Sequence, residues 1–145
     1  MASAWLVVVF LVAHVASVNA VFKPTTRLEL TYAKASCLTN VASGVQCCAA
    51  SPYCNSGAGT PTFTDDIGDW DTSLITNMGL LFLNQASFNA DISGWNTSQV
   101  TYMGDMFWGA SVFNQPIGNW DTSQVMDMNE MFGRAYAFNQ DITGW

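Results

Sequence analysis

Four cysteines, Cys37, Cys47, Cys48 and Cys54, crowd into a short stretch, and the rest of the chain has none. In an exported chain an even cluster of this kind reads as two disulfides. A Cys47–Cys48 bond would close a strained vicinal ring. Cys37 is therefore expected to pair with one of those two residues and Cys54 with the other. Zinc is the competing reading, but it would call for CxxC pairs and a cytosolic address. Other chemistry is scarce. His14 is the single histidine and lies in an N-terminal apolar run, so Ser-His, Cys-His and His-metal schemes have nothing to build on. Asp69 and Asp71 have the residue types of a glycosidase carboxylate pair, yet their setting reads as corner and turn. No catalytic residue, cofactor or metal ligand is expected, and the chain is read as a non-enzyme.

That setting is a repeat. DIGDWDTSLITNMGLLFLNQASFNA (66–90) is followed by DISGWNTSQVTYMGDMFWGASVFNQ (91–115), PIGNWDTSQVMDMNEMFGRAYAFNQ (116–140) and DITGW (141–145). The copies align without a gap. A fixed period of this size marks units that stack because none can bury its apolar face alone. Apolar rows run through the copies: the Ile67, Trp70, Ile75, Met78, Leu81, Phe82 and Phe88 positions and their successors. Met103, Met106, Phe107 and Ala110 follow i, i+3, i+4, i+7 spacing, which predicts a short helix in each unit. Phe113 and Ile117 flank an extended stretch, and Ile-x-x-Trp carries Gly or Asn, a corner. The expected fold is an α/β leucine-rich-repeat-like solenoid, with one short strand and one short helix per 25-residue coil. Strands pairing between coils would sit about 4.8 Å apart.

Polar rows lie between the apolar ones. Asn89, Asn114 and Asn139 are expected to hydrogen-bond the backbone of adjacent coils as a buried structural row. Asp71, Asn96 and Asp121, each followed by Thr and Ser, read as turn caps; Ca²⁺ binding by stacked carboxylates is weakened by the Asn in the middle unit. Thr72, Thr97 and Thr122 are candidates for a contact surface, as a hydroxyl ladder. Asn96-Thr97-Ser98 is the one N-x-[ST] sequon, which makes Asn96 a glycosylation candidate. Trp108 has Leu83 and Gly133 as its counterparts, and this departure from its row marks it as a candidate contact.

The pattern W-[DN]-T-S-x-V-x-x-M-x-x-M-F-x-x-A-x-x-F-N-Q-x-I resembles the BspA-like leucine-rich repeat surface proteins, over residues 66–145. The resemblance implies an extracellular or surface-displayed binding solenoid, discussed as an adhesin, without enzymatic activity. It also implies more repeats than are present here. The chain stops five residues into a fourth unit, which is read as truncation.

The remaining sequence sets the context. Trp5–Ala13 is apolar but shorter than the roughly 18 residues of a spanning helix, and Val18-Asn19-Ala20 resembles a cleavage site. Residues 1–20 are read as a signal peptide. Residues 21–65 hold the cysteines and are read as a disulfide-stapled N-terminal cap on the repeats at 66–145. The alternation Arg27-Leu28-Glu29-Leu30-Thr31-Tyr32 predicts a strand. The formal net charge is −7, and the basic side chains are Lys23, Arg27, Lys34 and Arg134, which disfavours nucleic acid and anionic lipid as partners. The expected function is a secreted or cell-surface module for protein or glycan binding and adhesion. The alternatives are a structural wall or matrix component, or a water- or ice-ordering protein using the Thr rows.

Overall fold

The structure is a computed structural model that describes residues 22–40, Gly44 and 66–145. The expected signal peptide, and Cys47, Cys48 and Cys54, lie outside the described residues.

Residues read as a strand from Arg27 to Tyr32 form instead the start of helix α1, Arg27–Asn40. Its start signal is Thr26-Arg27-Leu28-Glu29, a Thr-x-x-Glu capping pattern. The Thr26 hydroxyl accepts the Glu29 N–H at 3.2 Å, and the Glu29 carboxylate accepts the Thr25 N–H at 2.7 Å. These bonds hold the Glu29 carboxyl below the usual carboxylate range, the Thr25 backbone contributing most. The helix lies against the first coil. Leu30 and Cys37 enter the same core as Ile67, Met78 and Phe82. The Arg27 guanidinium donates to the Gly79 carbonyl. Phe22 meets Trp70 edge to face at 5.0 Å, and its carbonyl accepts the Asp71 N–H. Cys37 is buried and disulfide-bonded; the pairing expected for it lies outside the described residues.

The α/β leucine-rich-repeat-like solenoid does not form. Among the described residues, strand pairing is limited to two isolated parallel bridges, Asn77 with Tyr102 and Tyr102 with Asp127. The α-helix described lies outside the repeats. Each unit is instead a chain of tight turns. In the second unit Trp95 N–H donates to Ile92, Val100 to Thr97, Met106 to Met103, Ala110 to Phe107 and Phe113 to Ala110, each closing a four-residue turn. The first and last residues of these turns are all buried: Ile92, Trp95, Thr97, Val100, Met103, Met106, Phe107, Ala110 and Phe113. The residues between them are exposed or half-buried, except Gly104, which is buried.

This geometry explains the false helix. Two consecutive turns, 103–106 and 107–110, place their ends inward and so reproduce the i, i+3, i+4, i+7 spacing. In a helix every N–H would return to the carbonyl four residues back. Here alternate N–H groups leave the coil: Met103, Asp105, Phe107 and Gly109 donate to Asp127, Asn129, Met131 and Gly133. Met78, Leu80, Phe82 and Asn84 donate likewise to Tyr102, Gly104, Met106 and Trp108. The turns need a left-handed third residue, as type II turns do. Leu80, Asn84, Asp105, Glu130 and Arg134 occupy that region with φ between 50° and 61°, and Gly109 does so at 74°.

Like side chains stack between coils. Phe82 and Phe107 lie 5.5 Å apart between centroids, and Phe107 and Phe132 5.7 Å, both nearly parallel. Within a coil the paired rings are closer: Phe82 with Phe88 at 3.8 Å and Phe107 with Phe113 at 4.0 Å. Two columns of Phe therefore form a continuous slab, whose buried area is the main stabilising term.

Candidate functional site

The polar rows are placed by the turns. Asp71, Asn96 and Asp121 follow the Trp corner, and each side-chain oxygen accepts the N–H two residues on, from Ser73, Ser98 and Ser123 at 3.0 Å. Asp91 and Asp141 make the same local turn to Ser93 and Thr143. The serine hydroxyl and N–H hold the carboxyls of Asp91 and Asp121 below their ordinary value, and the Thr143 N–H and hydroxyl do the same for Asp141. Asp71 is held lower still, at about 2, first by its hydrogen bond from Lys23 at 2.6 Å and then by Ser73. Each of these carboxylates is engaged by its own backbone. Among the described residues no group of three or more His, Cys, Asp or Glu converges as metal ligands would.

The Thr row is not a surface. Thr72 and Thr97 are buried, and their hydroxyls donate across to the next coil, to Asn96 and Asp121 carbonyls at 3.0 Å. The hydroxyl ladder expected of Thr72, Thr97 and Thr122 is thus turned inward, with Thr122 half-buried in the last complete coil. A β-branched side chain with a donor suits that place, since it fills the wall and satisfies a carbonyl together.

The Asn row is reversed in exposure. Asn89 and Asn139 are exposed and Asn114 is half-buried, not buried as the sequence suggested. The bonds nonetheless run between coils: the Asn89 side-chain oxygen accepts the Asn114 N–H, and the Asn114 oxygen accepts the Asn139 N–H, both at 2.9 Å. The Gln115 side-chain amide also donates to Asn89, and that of Gln140 to Asn114, each at both the backbone and side-chain oxygens of the Asn one coil back.

Trp108, Glu130 and Arg134 come together between the second and third coils. Trp108, partly buried, lies across the turn of the third coil. Its indole N–H donates to Glu130 at 3.2 Å, and the Arg134 guanidinium sits 4.6 Å from its ring centroid. Gly133 makes room for it: a methyl group there would come within 2.3 Å of the indole. Trp108 and Arg134, which both break their rows, are therefore partners. Beyond them Tyr136 is 82% exposed and Val112 46%. Tyr136 escaped the sequence reading, although its row, Ala86-Ser111-Tyr136, carries the same signal of departure that singled out Trp108.

Two shallow concavities lie among the described residues. One, of about 290 Å³, lies between Pro116, Gly118 and Asn119 on one side and Asp141, Thr143 and Gly144 on the other. The second, about 210 Å³, lies where α1 meets the first coil, at Lys34, Ala35, Leu38 and Gln85. Burial, helped by the Arg27 charge, lowers the Lys34 pKa. No helix among the described residues is long and apolar enough to cross a membrane.

Neither a curated protein nor a solved structure matches this chain. A family model does, over residues 54–145, which takes in every repeat described above. By that match the chain belongs to the family described as "Mycoplasma protein of unknown function, DUF285".

Proposed function

We propose that this chain is an exported, non-enzymatic binding module whose stacked coils hold a rigid flank against an extracellular protein or glycan. The observation that carries this reading is the Trp108–Glu130–Arg134 cluster, with exposed Tyr136 two residues on from Arg134 in the chain. The Phe and Trp residues of the repeat rows are used within the stack. Aromatic and arginine side chains held in fixed positions are the residues that dominate binding surfaces, and a stack of repeats offers them a flat, pre-organised support. The resemblance of the repeats to BspA-like surface proteins supports an adhesive role outside the cell. The Trp5–Ala13 segment with its cleavage-like end supports export. The acidic balance steers the choice of partner away from phosphate-rich surfaces.

The test is a glycan array and an extracellular-protein pull-down with the full chain, set beside a Trp108→Ala/Tyr136→Ala variant. The proposal expects a retained partner and at least a tenfold loss of affinity in the variant. Retention of nothing, or equal retention by both chains, contradicts it.

A further inference from the structure

We infer that Asn96 is a site of N-linked glycosylation, an inference that rests on the proposed export. The acceptor sequence Asn96-Thr97-Ser98 occurs once in the chain. The structure presents it in a state that accepts a sugar without loss of fold. Asn96 is exposed at the corner that follows Trp95. Its side-chain oxygen is occupied, accepting the Ser98 N–H at 3.0 Å and the Ser98 hydroxyl at 2.8 Å. The amide nitrogen donates no hydrogen bond within the protein among those described, and so faces solvent. The intervening Thr97 is buried and tied to the Asp121 carbonyl at 3.0 Å, which anchors the corner from inside. Within the acceptor sequence Thr97 is buried and Ser98 half-buried, while the side chain that would carry the glycan is exposed.

The step is a glycosyl transfer from a lipid-linked diphosphate sugar. The amide nitrogen of Asn96 attacks the anomeric carbon and a C–N bond forms. The anomeric C–O bond to the diphosphate breaks, the lipid diphosphate leaves with the electron pair, and the amide gives up one proton. The neighbouring coils carry Asp71 and Asp121 at this position, with the same local turn to Ser73 and Ser123. The modification would therefore mark the middle coil alone. It also supplies a clean control, because Asn96→Asp copies a residue that the fold already uses at that corner.

The experiment is expression of the full chain in a eukaryotic secretory host, with electrophoresis and mass spectrometry before and after amidase digestion. A secreted chain carrying one glycan, removed by amidase with conversion of Asn96 to Asp, is expected. Asn96→Asp and Ser98→Ala should be secreted without it. A wild-type chain that reaches the medium unmodified overturns the site and leaves export standing. A chain retained unmodified in the cytosol overturns export and the site together. A glycan that persists in Asn96→Asp overturns the assignment to this residue.

Discussion

At the residue scale, the corner glycines show how closely the coils approach. A methyl group on Gly68 would lie 2.0 Å from the Asp91 carbonyl oxygen, and one on Gly118 would lie 2.2 Å from that of Asp141. Gly94, one position later in the second coil, has only the Gly68 oxygen near, at 3.7 Å. Backbone cannot yield as a flexible side chain does, so Gly118→Ala should lower unfolding free energy by about 1–3 kcal/mol, the usual cost of overpacking. Gly94→Ala should cost less than about 1 kcal/mol. Urea unfolding followed by tryptophan fluorescence separates the two. Thr97→Val carries a related cost. It keeps the shape but removes the bond to the part-buried Asp121 carbonyl, and about 1 kcal/mol of destabilisation is expected from the lost hydrogen bond. The periodicity placed these residues in rows, but not which way each row faced. The recurrence of Thr72, Thr97 and Thr122 suggests a hydroxyl ladder at the surface; the bond from Thr72 to the next coil is a contact that only the stacked geometry reveals.

At the scale of the element, the turn replaces both helix and strand. Leu80 occupies the left-handed region at φ 61° with nearly half its side chain in solvent. Left-handed backbone costs an ordinary residue about 1–2 kcal/mol and glycine little. Leu80→Gly should therefore raise the unfolding midpoint, where a helix at this place would make the same change destabilising. The sequence hid these turns for a physical reason. Glycine stands at Gly79 and Gly104, one residue before the left-handed position, where the Tyr102 ring leaves no space for a methyl group. The usual glycine signature of a type II turn is displaced, and the apolar spacing that remains is the helical one. The short alternation at Arg27–Tyr32 misled similarly, while the Thr26–Glu29 cap was legible and outranks it. The contact between the N-terminal segment and the first coil has its own pH dependence. The folded Asp71 carboxyl, at about 2, lies below its ordinary 3.8. Its contribution to stability is present above the unfolded value and is lost as pH falls from about 4 to 2. The pair is partly exposed, so the contribution is small. Asp71→Asn should flatten the stability curve within that window, lowering it slightly near neutrality, where the contribution is present, and leaving it unchanged below about pH 2.

At the scale of the whole molecule, the repeat was legible as a stack and its core rows were legible as core. The apolar positions read from the alignment are the buried ones in the first two coils. What the sequence could not supply was the backbone path between those positions, because turns and helices can bury the same spacing. The flank at Trp108 was half legible, through its break from the row, while its pairing with Arg134 needed the register between coils. The account stands on that register. The direct measurement is trans-hydrogen-bond scalar coupling by NMR on isotope-labelled protein, read at the amides of Met103, Asp105 and Phe107. The account predicts couplings to the carbonyls of Asp127, Asn129 and Met131 in the next coil. Couplings from these amides to carbonyls four residues back, with right-handed φ at Asp105, would contradict it and restore the helix.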